Sequence, residues 1–188
     1  MKHTPANSDD VARAVDEARS GGLRVAVVST GHGLRPLGGL SGSLMLDVSG
    51  LDSVDIDTER NLARIGGGVK WNGLLEDCSP LGLTGPFGSA GGVGVTGYSL
   101  GGGIGPLGRH LGLGSTAVRA VELVTAEGEL IRTDGTSDPE LLWALKGGGG
   151  GLGIVTSLEL ELTPLPTMTG GMLVWPMARA SEVAHAWA

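Results

Sequence analysis

The chain has 188 residues, 40% hydrophobic but only 3% aromatic, and a formal net charge of −7 at pH 7. That is long enough for one domain with a core of Val, Leu, Ile and Ala, and its charge has the wrong sign for binding nucleic acid or an anionic membrane. The single cysteine, Cys78, excludes an internal disulfide and a cysteine metal cage. The opening MKHTPANSDD lacks an apolar signal-peptide core, and no apolar run approaches the ~18 residues that span a bilayer, so a cytoplasmic protein is expected.

In chain order, Ser8 is a fair N-cap, with Asp9 and Asp10 in the first turn. Val11, Ala14, Val15 and Ala18 then make one helical stripe, stopped by Gly21-Gly22. Leu23–Ser29 reads as a buried strand and Leu44–Val48 as another. Ser53–Asp57 and Leu62–Ile65 form a hairpin over residues 58–61, leading to Gly66-Gly67-Gly68. A helix follows in which Trp71, Leu74, Leu75 and Cys78 share a face, which makes Cys78 most simply a small buried hydrophobe. Ala117–Thr125 and Leu130–Thr133 suit a second hairpin turning at Glu127-Gly128. Ser137-Asp138-Pro139-Glu140 starts a helix, with Leu141–Lys146 giving it a turn or two. Ile154–Thr163 alternates Leu158, Leu160 and Leu162 with Glu159 and Glu161, the pattern of a half-exposed antiparallel strand. Met172–Trp175 reads as a strand and Arg179–Ala188 as the start of an amphipathic helix. Both need partners to bury their apolar faces, so residues 168–188 look like the start of a further domain, and an uncovered face there predicts self-association.

Glycine organises the rest. Between Gly85 and Gly108 it fills 11 of 24 positions, and two further clusters are Thr30–Gly33 and Gly147–Gly153. Such density disfavours regular elements and is kept where backbone approaches something closely or φ must be positive. Three belts therefore suggest one extended ligand lined by main chain. The GxGxxG fingerprint occurs at Gly92/Gly94/Gly97, Gly103/Gly105/Gly108 and Gly148/Gly150/Gly153, but none has a strand before it and a helix after it. A nicotinamide site is thus the weaker reading, and no Gly-Lys-Ser/Thr loop exists. His3, His110 and His185 match no metal pattern.

Taken together, Val27–Gly33, Gly92–Gly105 (GVGVTGYSLGGGIG), Val124–Gly128, Leu142–Gly150 and Gly153–Thr156 resemble the FAD-dependent oxidoreductases of the vanillyl-alcohol-oxidase/PCMH superfamily. The likeness is to the berberine-bridge-enzyme-like FAD-linked oxidases and covers residues ~8–165. It implies an α+β PCMH-type domain of two α/β subdomains, residues 1–66 and 67–167, holding FAD between them. It implies Ser29, Thr30, Gly31, His32 and Gly33 at the pyrophosphate and the dimethylbenzene edge of the flavin. Ser89, Gly92, Val93, Gly94, Gly97 and Tyr98, with Gly101, Gly102, Gly103 and Gly105, would follow the pyrophosphate, ribityl chain and ring. Gly153, Ile154 and Val155 would approach the ring or the adenosine. Consecutive amides can hold a pyrophosphate without lysine.

The resemblance also places His32 where many members attach the flavin 8α-carbon to histidine, the plainer alternative being a loop histidine that only packs. The position of the second, cysteinyl bond of other members is Ala90 here, so double attachment is not expected. Tyr98 is the one tyrosine; it either meets flavin or substrate or is a packed structural residue. The chain departs from the family at Thr116-Ala117 and Gly151-Leu152, where side-chain anchors are usual, and in lacking the substrate domain that carries the usual base. The implied function is an oxidoreductase that takes hydride from a small organic substrate at flavin N5, with O₂ as acceptor. The alternative is a catalytically inactive FAD-binding module.

Overall fold

The computed structural model describes residues 1–32, 39–149, 151–164 and 170–187. Two sheets carry the architecture. Short strand β1 (Lys2–His3) precedes α1 (Ser8–Ser20), which is followed by β2 (Arg24–Val28) and β3 (Ser43–Asp47). The three strands form a parallel sheet in the order β1-β3-β2. α1 is capped by Asn7, which accepts from the Asp10 amide at 2.9 Å, one residue before the expected Ser8. Asn caps as well as Ser, and this choice keeps both aspartates in the first turn. The stripe Val11, Ala14, Val15 and Ala18 is buried as its spacing predicts, against Leu44, Leu46 and Val48.

The second sheet is antiparallel. It contains the hairpin β4 (Val54–Asp57) and β5 (Leu62–Gly66). After α2 (Trp71–Cys78) and β6 (Leu83–Thr84) come α3 (Val95–Leu100) and α4 (Gly108–Leu111). β7 (Val118–Val124), β8 (Leu130–Asp134), α5 (Pro139–Gly148), β9 (Ile154–Glu161) and β10 (Thr163–Pro164) follow. The five long strands run in the order β4-β5-β9-β7-β8, and β6 pairs with β10 separately. β9 alternates as predicted, with Ile154, Thr156, Leu158 and Leu160 buried. α2, α3 and α5 supply Trp71, Leu74, Val95, Leu100, Leu142 and Leu145 to the core over this sheet. Across its outer face Arg64 bonds Glu122 at 2.6 Å and Arg132 bonds Glu159 at 3.0 Å.

Four expectations need correction. The 54–66 hairpin, expected in the first subdomain, is bonded into the larger sheet, because Leu62–Gly66 of β5 pairs with Ser157–Glu161 of β9. β2 is not buried: it pairs with β3 alone, and Val27 is 40% exposed. The central glycine belt contains a helix, α3, whose weak propensity is overridden by burial of Val95 and Leu100. Met172–Trp175 is not a strand; Met172, Leu173 and Val174 are at least 82% exposed and pair with no neighbour among the described residues. A strand needs such a neighbour to hold its shape. The helix predicted after it is present as α6 (Ala180–Trp187).

Candidate functional site

A cleft of about 920 Å³ lies along the open side of β2, and all three glycine belts reach it. One wall is Arg24–Val28 continuing into Ser29, Thr30, Gly31 and His32. The chain turns there through Gly31 at φ 82°, a conformation that a side chain resists. The facing wall is Val93, Gly94, Gly97 and Tyr98, with Thr96 and Leu100 from the same helix α3. The third side is Gly149 and Gly151 followed by Gly153, Ile154 and Val155 at the start of β9, with Gly67 beside them. Gly33 lies outside the described residues.

The other predicted glycines do not line the cleft, and for Gly103 and Gly105 close neighbours explain the glycine. A Cβ built on Gly105 would fall 1.8 Å from the Phe87 carbonyl oxygen, and one on Gly103 2.5 Å from the Tyr98 ring. Gly88 and Gly114 also abut that ring, at 2.9 and 3.0 Å. Tyr98 is therefore caged by glycine, and its ring meets Trp71 edge-on with centroids 5.5 Å apart. This favours the packed reading of Tyr98, although part of the residue also reaches the cleft. Gly101 caps α3, Gly102 turns behind it at φ 105°, and Ser89 and Gly92 are exposed. Gly91 would meet the Asn72 side chain at 1.5 Å. Much of the central belt thus makes room for protein rather than for ligand.

The electrostatics of the cleft differ from those of the whole chain. Although the net charge is −7, no carboxylate lines the cleft among the described residues. Arg24 and His32 are the basic residues there, and Arg24 donates to the Ser41 carbonyl at 3.2 Å. Three hydroxyls of lining residues, those of Ser29, Thr96 and Tyr98, are buried with no hydrogen-bond partner. Burial also pushes the Tyr98 phenol above its usual pKa. Buried hydroxyls are nearly always paired, so the orphans of Ser29 and Thr96 mark where polar ligand atoms fit, while that of Tyr98 is enclosed by its glycine cage.

The sequence model of the FAD binding domain matches residues 3–134. The chain belongs to the FAD binding domain family. It is 37% identical over 179 residues to (R)-6-hydroxynicotine oxidase of Paenarthrobacter nicotinovorans, covering 95% of this chain and 39% of that protein. Among solved structures, 6-hydroxy-D-nicotine oxidase from Arthrobacter nicotinovorans superposes with TM-score 0.84 at 36% identity, over 88% of this chain and 36% of that one. Glucooligosaccharide oxidase from Acremonium strictum, whose FAD is 6-S-cysteinyl and 8α-N1-histidyl, superposes with TM-score 0.78 at 30% identity, over 86% and 34%. The chain thus spans well under half the length of these relatives. The resemblance read from the glycine belts and its α+β PCMH-type fold are both correct, and FAD is the family's cofactor.

The residues present fit that cofactor. Among the described residues the cleft is free of carboxylates that would repel a pyrophosphate, and it is lined by all of β2 and by unpaired hydroxyls. Glycine admits a ligand closely at Gly97, where a built Cβ has nothing within 4 Å. Beyond the segments read from the sequence, the cleft adds most of the β2 wall with Gly39, Leu40, Ser43, Val48, Gly67 and Leu100. Gly67 carried a signal, since it sits in a glycine run; that the hydroxyl of Thr96 would be left unpaired did not.

Proposed function

We propose that this chain is the FAD-holding part of an FAD-dependent oxidoreductase, with the cofactor lying in the cleft between the β2 wall and the two later glycine segments. The observation that carries this reading is the convergence of three glycine belts, far apart in sequence, on one carboxylate-free cleft. When bound, FAD supplies the redox chemistry, accepting a hydride at flavin N5 from a small organic substrate and discharging to O₂. The chain's own residues bind and orient. Main chain at Ser29–His32 and Val93–Gly94 meets the pyrophosphate side, and Gly153, Ile154 and Val155 close the third side. The divisions 1–66 and 67–167 become two walls joined through the larger sheet, to which the 54–66 hairpin belongs.

His32 is the residue we assign to covalent attachment, since it lines the cleft at the end of the β2 wall. Acid precipitation of the purified protein tests cofactor and linkage together. Flavin colour should stay in the pellet and be lost from the pellet of His32→Ala; a chain that stays colourless after refolding with excess FAD overturns the whole reading.

A second reading, an FAD-binding module without turnover of its own, is favoured by one observation. Among the described residues no carboxylate lines the cleft and the Tyr98 hydroxyl is shut inside its glycine cage, which leaves His32, the residue assigned to attachment, as the one side chain there able to take a proton. Flavin binding with no reduction by any alcohol or sugar supports it; anaerobic bleaching by such a substrate refutes it. Association between copies through the exposed Met172–Trp187 stretch belongs to either reading, and a monomer in sedimentation equilibrium would exclude it.

A further inference from the structure

The hydroxyls left without partners on the cleft walls assign a role that main-chain cradling does not cover. We propose that Thr96, assisted by Ser29 at the end of the β2 wall, donates side-chain hydrogen bonds to the pyrophosphate and so selects phosphate-bearing ligands over bare flavin. This rests on the FAD reading above.

Thr96 is only 8% exposed, lines the cleft from α3, and its Oγ1 has no partner. Ser29 Oγ is in the same condition at the end of the β2 wall. The two walls come together here: Ser29 Oγ lies 3.1 Å from a Cβ built on Gly94, two residues before Thr96. Glycine at 94 leaves Ser29 unobstructed, and the next turn of chain brings Thr96 to the same cleft.

Charge decides what these hydroxyls meet. A pyrophosphate accepts hydrogen bonds and donates none. Among the described residues Arg24 and His32 are the basic groups lining the cleft and no lysine does; Arg24 already donates to the Ser41 carbonyl. Neutral donors on the walls therefore add to what these groups offer the anion, as amide nests do elsewhere. A hydroxyl kept dry without a partner is unfavourable in the empty protein and becomes favourable only when an acceptor arrives. Thr96 thus trades stability of the apoprotein for ligand affinity.

The test is calorimetric titration of the full chain with FAD, ADP and riboflavin, in a His32→Ala background that keeps binding reversible. ADP carries the pyrophosphate without flavin, and riboflavin carries flavin without phosphate. Thr96→Val should weaken ADP and FAD about tenfold, leave riboflavin unchanged, and be restored by Thr96→Ser. Ser29→Ala should act in the same sense. The melting temperature of the ligand-free Thr96→Val protein should equal or exceed that of its parent, which a merely structural threonine would not allow. Unaltered ADP and FAD binding in Thr96→Val, or an equal loss for riboflavin, overturns the proposal while leaving the FAD reading intact. A parent protein that binds neither FAD nor ADP removes both.

Discussion

A methyl group added at Gly97 enters the cleft without touching the protein. A Cβ built there has nothing within 4 Å, and the residue lies inside α3 on the cleft wall. Within a helix, Ala is better than Gly by about 0.5–1 kcal/mol. For a domain of this size that corresponds to a rise of about 1–4 °C in the melting temperature of the ligand-free protein. Gly67, also on the cleft, gives the opposite result: its built Cβ lies 2.4 Å from the Val155 carbonyl oxygen. Two backbone segments would have to part by about 1 Å, and overpacking of that kind costs about 1–3 kcal/mol. Thermal unfolding followed by far-UV circular dichroism, with and without FAD, separates the two. Gly97→Ala should melt higher when empty yet gain less from FAD, because its methyl group occupies ligand space. Gly67→Ala should melt about 2–10 °C lower in either state. Gly97→Ala melting below the parent and taking up FAD unimpaired would refute the reasoning.

Trp71 is fully buried, with its ring against both Gly85 and Tyr98, so Trp71→Ala should lose about 3–5 kcal/mol in urea unfolding; a loss under about 1 kcal/mol would mean the core collapses to fill the gap. Asp47 is held at a pKa of about 2, below the usual 3.8, first by its hydrogen bond to Lys2 and then by bonds from Ser49. Because its folded-state pKa is depressed, its contribution is present above pH about 4 and is lost as pH falls toward 2. Asp47→Asn should therefore be less stable than the parent by about 1 kcal/mol at neutral pH, with the gap closing in acid; a gap that persists at low pH excludes this ion pair as its source.

What the sequence made legible was local. α1 and the alternation of β9 are written in apolar spacings of 3.6 and 2 residues, and both stand as read. α5 begins at Pro139 after its Asp138 cap as the Ser-Asp-Pro-Glu start suggests, and its backbone leaves helical angles at Lys146 and Gly147, close to the expected end. The pairing of β5 with β9 left no trace, because their register depends on chain segments far apart. α3 was hidden by its own composition, since Val-Thr-Gly-Tyr-Ser-Leu is a poor helix without the core beneath it. For the site, glycine density pointed to segments that share one cleft but not to the cause of glycine at each position. Gly31, Gly94 and Gly97 face the cleft, whereas Gly88, Gly103 and Gly114 accommodate one aromatic ring. That the Thr96 hydroxyl would be left without a partner had no signal, because an unpaired hydroxyl is a property of packing.

The position of β9 has a consequence for how the protein is made. It is the last of the five long strands to be synthesised, yet it stands in the middle of their sheet, with β5 on one side and β7 on the other. Until it emerges from the ribosome, the nascent chain carries two separate hairpins, each with an unsatisfied flank open to mispairing. The same strand begins at the third side of the cleft, so the cleft takes its final shape only as the sheet closes.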